Sequence, residues 1–196
     1  MTAADNFPSP GDAPASDETI IAQTRAWIEK AVIGLDLCPF AQAVHMSDRI
    51  RYRVSDAQSN QALLEHLRAE LRALQAADPQ IVETVLLIHP QVLSDFYEYN
   101  AFLDEAEEAV DELDLTGVLQ VASFHPHYQF ADTAPDDIEN YTNRSPYPML
   151  HLLRESSIER AVAAMADPAQ IYEKNIETLR SLGHEGWRRL WLTDRE

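Results

Sequence analysis

The chain has 196 residues, one cysteine and a formal net charge of −18. That length suits one domain with a sizeable core, and the acidic balance argues against nucleic acid or an anionic membrane as a partner, because phosphate contacts need clustered Lys and Arg. One cysteine excludes an internal disulfide framework. The sequence shows neither an apolar run of membrane-spanning length nor a signal-peptide pattern, so it predicts a cytoplasmic protein.

The start of the chain predicts a tail followed by a helix. Residues 1–15 are rich in Pro, Ala and Asp and have no apolar period, so we expect a disordered tail in front of a single domain over residues 16–192. Ser16 or Asp17 can cap a helix that continues to about Gly34, which is a natural stop.

Cys38 lies in the segment LDLCPFA that follows this helix. Pro39 suits the first position of a short helix, which would make Cys38 its cap residue. At that place the helix dipole lowers the pKa of a thiol and makes it reactive. The other interpretation is a core cysteine, because Leu37 and Phe40 flank it and free cysteine is often buried.

Three later segments have strand patterns. Residues 49–54 alternate between apolar residues and arginines, which predicts an edge strand whose arginines pair with acidic neighbours or contact an anionic ligand. Residues 83–89 are nearly all apolar, as in a central strand, and residues 117–124 form the third strand. Helices are expected between the strands, with starts at residues 55–56 and 94–95.

The alternation of strands and helices predicts the α/β class. Such crossovers give parallel strands with right-handed connections. We expect a small three-layer domain with a short, mostly parallel sheet of about three strands, flanking helices and an all-helical C-terminal part. There, Ser145 would cap a helix with Pro146 in its first turn, and Asp167-Pro168 would begin another that Gly183 closes.

Two of the predicted strands end in the dipeptide His-Pro, at His89 and at His125. Parallel strands bring both histidines to the carboxyl edge of the sheet, where open α/β sheets bind ligands. An extended backbone puts His127 on the same side as His125. With Asp132, these histidines offer the ligand types for Zn²⁺, Fe²⁺ or Mn²⁺. Otherwise they act as acid and base groups, or only hydrogen-bond the loop backbone.

A long polar loop follows the third strand and leads to a predicted anion site. Arg144 and Ser145 lie at the expected helix start, and His151 and Arg154 would be neighbours on that helix. Free N–H groups, the helix dipole and a guanidinium suit a carboxylate or a phosphate. The alternative is that Arg144 clamps the loop by pairing with one of its acidic residues, which are Asp136, Asp137 and Glu139.

Four motifs together form a specific combination. They are LDLCPFA (35–41), ETVLLIHP (83–90), ASFHPHYQFADT (122–133) and NRSPYPMLHLLRE (143–155). With them the chain resembles the bacterial and plant family called domain of unknown function 1415, over roughly residues 17–192. The resemblance implies a compact cytoplasmic protein, and it supplies no established activity, cofactor or catalytic residue.

The favoured functional hypothesis is a small-molecule enzyme with its site at the carboxyl edge. The three edge histidines would be metal ligands or acid and base groups. Arg144 and Arg154 would orient an anionic substrate, and Cys38 would be a nucleophile or a further ligand. Hydrolysis or thiol chemistry fits better than hydride transfer, because the sequence has neither a GxGxxG nor a GxxxxGK[ST] pattern.

Two further hypotheses belong to other classes. One is a non-catalytic protein that binds a metal, haem or a small anion; the Cys38-Pro39 dipeptide resembles short elements that bind haem iron through sulfur. The other is a protein that meets a basic partner through the acidic face of the helix over residues 95–113.

Overall fold

The computed structural model describes residues 15–163 and 169–192. The predicted tail, apart from Ala15, and the predicted helix start at Asp167-Pro168 lie outside these ranges. The helices are α1 Asp17–Trp27, α2 Ala41–Met46, α3 Asn60–Ala76, α4 Phe96–Glu112, α5 Glu155–Ala163 and α6 Ala169–Arg189, with a π-helical stretch at Ile28–Ile33 and a 3₁₀ helix at Ile138–Thr142. The strands are β1 Ile50–Val54, β2 Thr84–Ile88, β3 Leu119–Phe124 and β4 Met149–Arg154.

The four strands form one sheet in the order β1-β2-β4-β3. β1 and β2 are parallel, and β4 runs antiparallel to both β2 and β3. The register pairs Val54 with Ile88, and Met149 with both Ile88 and Phe124. β1, β2 and β3 therefore point the same way and end at one edge, the carboxyl edge. The α/β class and the three predicted strands are confirmed, and a fourth strand lies between two of them.

The prediction of a helix that starts at Ser145 is wrong, because residues 149–154 form β4. Burial along β4 assigns its side chains to two faces: Leu150 and Leu152 join one core, and Met149 joins the other. A short apolar run does not by itself distinguish a buried strand from a helix. Hydrogen-bonded neighbours on both sides, β2 and β3, favour the strand here.

Helices cover both faces of the sheet, which gives the predicted three layers. On one face, α3 and α4 pack on Val85 and Leu87 of β2, and α3 contributes a stripe of buried leucines. We call this the α4 face. On the other, the α6 face, Trp27 of α1 and Trp187 of α6 pack with Leu86.

The starts of α3 and α4 shape the loops at the carboxyl edge. α4 begins as predicted, because the carboxylate of Asp95 accepts two N–H groups of its first turn at 2.9 and 3.1 Å. α3 has Ser59 as its cap and begins later than predicted. Ser55 instead closes the end of β1, since its hydroxyl accepts the N–H of Ala57 at 3.2 Å.

β1 is an edge strand, as predicted, and its arginines pair with acidic neighbours. Arg49 lies 3.4 Å from Glu83, and Arg51 and Arg53 lie 3.6 and 3.8 Å from Glu70. These guanidinium groups already have carboxylate partners, so the row fits the interpretation in which it stabilises the edge.

Within the described residues, the C-terminal part is helical from Glu155 to Arg189 and ends in a turn. Gly183 interrupts α6 with φ = +64°, a backbone conformation that glycine adopts without strain. Helical hydrogen bonding resumes after it and brings Trp187 into the core. None of the described helices has both the length and the apolar character needed to cross a membrane.

Candidate functional site

The carboxyl edge brings two of the predicted site residues to one tyrosine. His89 directly follows β2 and His125 directly follows β3, and the alternation of each strand turns both side chains to the α4 face. The ring of Tyr99 stacks on His89 with 5.8 Å between centroids and contacts His125 at 5.0 Å. Both histidines are therefore held against the same aromatic ring.

Tyr99 is fixed in this place by its hydroxyl group. The hydroxyl donates to the carbonyl oxygen of Met149 at 2.8 Å and accepts the backbone N–H of Phe124 at 3.0 Å. These two residues are the start of β4 and the end of β3. Tyr99 thus ties α4 to the strand ends that carry the site.

Both ring nitrogens of His125 are bound to the protein backbone. Nε2–H donates to the carbonyl oxygen of Leu93 at 3.2 Å, and Nδ1 accepts the N–H of His127 at 3.0 Å. These partners require the neutral imidazole with its proton on Nε2. Burial lowers the pKa of His125 to about 4. His125 therefore matches the interpretation in which a histidine fixes the shape of the loop.

His89 is fully buried but uses only one of its ring nitrogens. Nδ1–H donates to the carbonyl oxygen of Val92 at 3.0 Å, whereas no group of the described residues hydrogen-bonds Nε2. Burial lowers the pKa of His89 to about 4, so the ring is neutral at pH 7. A neutral ring whose proton is fixed on Nδ1 presents a hydrogen-bond acceptor at Nε2.

Of the three histidines at the carboxyl edge, His127 is the exposed one. Its ring lies 5.7 Å from that of His125, and none of the described residues hydrogen-bonds its ring nitrogens. The pKa of His127 is lowered by partial burial and by the positive charge of Arg144, against an opposing effect of Asp95. The rings of His89 and His125 both contact Tyr99, and the ring of His127 follows next to that of His125.

Arg144 is buried in the loop, and its relative exposure is 4%. Nε donates to the carbonyl oxygen of Tyr128 at 3.2 Å, and Nη2 donates to that of Pro135. The guanidinium carbon also lies 4.4 Å from the centroid of the Tyr141 ring. Burial lowers the pKa of Arg144. The guanidinium does clamp the loop, but through carbonyl oxygens and an aromatic face.

The acidic residues expected to pair with Arg144 have other roles. Glu139 forms an ion pair with Arg180 at 2.9 Å. Asp137 accepts the backbone N–H of the residue three positions before it at 2.7 Å. Asp136 raises the pKa of Arg144 by its charge without an ion pair. Among the described residues, Arg144 has no carboxylate partner within 4.0 Å.

The residues that build this edge lie within a range matched by a protein family model. The family model described as protein of unknown function (DUF1415) matches residues 19–189. The chain is a member of this family. Neither a curated protein nor a solved structure matches the DUF1415 chain. The family description assigns no activity, so the function has to be argued from the groups at the edge.

Three residues predicted for the anion site of the DUF1415 chain have other positions or partners than expected. Ser145 caps no helix; its hydroxyl donates to the carbonyl oxygen of Tyr147 at 2.7 Å. His151 is in the middle of β4, and its Nε2 lies 2.8 Å from the hydroxyl of Thr84. Arg154 pairs with the first residue of β3, so it lies at the opposite edge of the sheet.

Arg154 has a structural role at that opposite edge. Its Nη2 donates to the carbonyl oxygens of Leu74 and Ala77, at 2.6 and 2.8 Å, where α3 ends. A cation at the C-terminus of a helix satisfies free carbonyl groups and the negative end of the helix dipole. The predicted helical neighbours His151 and Arg154 instead lie on opposite faces of a strand.

The surroundings of Cys38 raise the pKa of its thiol, whereas its position in the sequence predicts a lowered one. α2 begins at Ala41, later than expected, although the N–H groups of Phe40 and Ala41 point to the sulfur and lower its pKa. Burial outweighs both and raises the pKa of the thiol above its usual value. The neighbouring Leu37 belongs to the core of the α6 face, away from the edge histidines.

The predicted metal ligands are only partly brought together. Asp132 lies in an exposed turn with φ = +64°. Over residues 15–163 and 169–192, no three His, Cys, Asp or Glu side chains form a group suited to a metal ion. His125 also has no free ring nitrogen, because both hydrogen-bond the backbone.

The edge also has an aromatic part that was not among the predicted site residues. Tyr99 is a buried residue of α4, and its sequence position alone predicts no more than a core side chain. Phe96 contacts His125 at 5.5 Å and Tyr128 at 5.3 Å. The available signal was a run of aromatic residues on both sides of the histidines in the sequence, in FYEY and in HPHYQF.

Proposed function

We propose that the protein is an enzyme that hydrolyses a small anionic molecule at the carboxyl edge of the sheet, with Arg144 as anion anchor and His127 as acid–base group. The observation that supports this most is the environment of Arg144. Its guanidinium is buried against carbonyl oxygens and a tyrosine ring, without a carboxylate partner among the described residues. A buried charge that lacks an ionic partner favours an anion within its reach.

His127 lies at the surface near the buried charge of Arg144. The side chain is exposed, and the next residue, Tyr128, accepts the hydrogen bond from Nε of Arg144 with its carbonyl oxygen. After partial burial, the positive charge of Arg144 is the second cause that lowers the pKa of His127. The field of a partly desolvated charge is screened less than that of a surface charge. An anion bound at His127 would therefore interact with Arg144 even in a chain whose net charge is −18.

The chemistry assigned to His127 is proton transfer. A neutral imidazole can take a proton from water as the water oxygen bonds to a carbonyl carbon or a phosphorus atom, and can then return the proton to the leaving oxygen. His125 positions this group, because its Nδ1 holds the backbone of His127. The buried Nε2 of His89 is a second acceptor, with its tautomer fixed by Val92.

A metal-dependent reaction has less support at this edge. A metal site would need several free ligands close together, whereas His125 has no free ring nitrogen and Asp132 lies in an exposed turn. Acid–base chemistry by the imidazole of His127 fits this edge better than metal chemistry.

Binding can be tested with thermal melts in inorganic phosphate, acetate and succinate. A ligand that binds only the folded state raises the melting temperature. We expect at least one anion to stabilise the wild type and Arg154→Gln, but not Arg144→Gln. Arg154 is a matched control, because it is also a buried arginine that binds backbone carbonyls, at the opposite edge. Equal stabilisation of Arg144→Gln would contradict the proposed anchor.

Catalysis can be tested with a panel of phosphate monoesters and dicarboxylate monoesters. General acid–base groups typically contribute about a hundredfold to ten-thousandfold in rate. We therefore expect His127→Gln to lose at least about a hundredfold in turnover while it still binds the anion. His66→Gln, a change in α3 outside the site, is the control. If His127→Gln hydrolyses the substrate as fast as the wild type, His127 is not the acid–base group.

A further inference from the structure

A row of five aromatic rings adjoins the proposed anion site. It is built from α4, the loop after β3, and α6, and consecutive centroids lie 6.1, 5.3, 5.0 and 6.0 Å apart. We call it the aromatic row; its members, in order, are Tyr97, Phe96, Tyr128, Phe130 and Tyr172. The two ends are 73% and 51% exposed, and the three inner rings are partly exposed.

The row is joined directly to the residues of the proposed site. Phe96 contacts the ring of His125 at 5.5 Å. The carbonyl oxygen of Tyr128 accepts the hydrogen bond from Nε of Arg144. The same short segment, residues 125–128, therefore carries an edge histidine, the proposed acid–base group and a ring of the row. A ligand whose anionic group is at His127 can place its remaining atoms against Tyr128.

From this juxtaposition we infer that the preferred substrate is an anion that carries a flat aromatic group, which packs on Tyr128 and Phe130 while its carboxylate or phosphate is held at Arg144 and His127. The inference rests on the proposed function and names the substrate class. Contiguous apolar surface that stays exposed in a folded protein often belongs to a ligand-binding or interaction site. Aromatic pairs gain energy beyond that of the area they bury.

The charge of the chain gives a physical reason for such a ring contact. A small anion is repelled by a net charge of −18 and attracted by one buried guanidinium. The apolar contact between a ligand ring and the aromatic row is not weakened by the repulsion between the anion and the acidic chain. An aromatic group therefore adds affinity, whereas a second negative charge on the ligand would add repulsion. The row also supplies specificity, because stacked and edge-to-face geometries distinguish a flat ring from a saturated one.

The test compares ligands that differ only in the flatness of the ring. Dissociation constants are measured by calorimetry for benzoate and cyclohexanecarboxylate, and for phenyl phosphate and cyclohexyl phosphate. We expect the aromatic member of at least one pair to bind about three- to tenfold more tightly, from the usual gain of an aromatic pair. The pair that shows it distinguishes a carboxylate from a phosphate as the anionic group.

Substitutions locate the ring contact. Tyr128→Leu and Phe130→Leu should each reduce the preference for the aromatic member and leave the affinity for acetate or inorganic phosphate unchanged. Ile81→Ala, at an apolar side chain that is 69% exposed and lies before β2, should change neither. Two positions are tested so that poor folding of one variant does not decide the result.

The outcomes separate this inference from the proposed function. If aromatic and saturated ligands bind equally, or if both row variants keep the preference, the inference is overturned and the anion site stands. If none of the anions, aromatic or not, binds the wild type, the proposed function itself fails and the inference fails with it.

Discussion

The backbone N–H of His127 donates a hydrogen bond to Nδ1 of His125 over 3.0 Å. With Nε2–H bound to the carbonyl oxygen of Leu93, both ring nitrogens of His125 are used for the backbone. The ring of His127, by contrast, is exposed. Two histidines only two positions apart thus have different roles, a positioning residue and an accessible one.

This difference predicts opposite results for two substitutions. His125→Phe keeps an aromatic ring but leaves the buried backbone partners unpaired, and each such loss costs about 1–3 kcal/mol. We expect its free energy of unfolding, measured in urea, to fall by at least that amount, while His127→Gln changes it by less than about 0.5 kcal/mol, as exposed substitutions usually do. If His127→Gln were the more destabilising change, the assigned roles would be wrong.

A second prediction concerns Arg154 at the far edge. Its Nη2 binds the carbonyl oxygens at the end of α3, and hydrogen bonds to charged groups contribute about 1.5–3 kcal/mol each. Arg154→Leu should therefore lower the free energy of unfolding by at least about 2 kcal/mol. Hydrogen exchange should show the loss first in the last turn of α3. A variant as stable as the wild type would mean that these contacts contribute nothing.

The carboxyl edge could be predicted because it depended on strand direction alone. The two His-Pro dipeptides lie at one edge whenever β2 and β3 point the same way. Helical crossovers between strands favour that direction. Tyr99 could not be assigned to the site, since an inward tyrosine on α4 is equally expected in a core. Its hydrogen bonds to Phe124 and Met149 depend on how β3 and β4 pair.

β4 could not be predicted for a related reason. Its six residues are too few for a helical or strand period to be distinguished, and its partners are remote in sequence. Because residues 149–154 form a strand, His151 and Arg154 lie on opposite faces of the sheet, and Ser145 does not begin a helix. The pKa of the Cys38 thiol depends mainly on burial. A local sequence pattern for a helix start does not predict burial.

Loss of stability in mild acid follows from three buried histidines. Burial lowers the pKa of His89, His125 and His151 to about 4, from a usual value of 6.5. Between these values the unfolded chain binds protons that the folded chain does not, so stability falls as the pH falls. The contribution is complete above pH 6.5 and is lost toward pH 4.

The size of the acid effect can be measured by urea unfolding at pH 7.5, 6 and 5. Each histidine can contribute a loss of up to about 1.4 kcal/mol per pH unit in this window. NMR titration of the imidazole C–H signals identifies the responsible groups, and three of them should titrate well below pH 6. Stability that is constant or rises between pH 7.5 and 5 would contradict these lowered pKa values.

The last prediction is that Cys38 reacts slowly in the folded protein. Two N–H groups, of Phe40 and Ala41, favour the thiolate, but burial opposes it more strongly and raises the pKa of the thiol. Since only the thiolate attacks an alkylating reagent, iodoacetamide should label Cys38 at pH 7 more slowly than it labels the same protein unfolded in urea. The rate in the folded protein should still be rising above pH 9, which is the ordinary value for the thiol. If labelling at pH 7 were faster in the folded than in the unfolded protein, with a midpoint below this ordinary value, Cys38 would be an activated nucleophile. A thiol-based reaction would then compete with the imidazole chemistry assigned to His127.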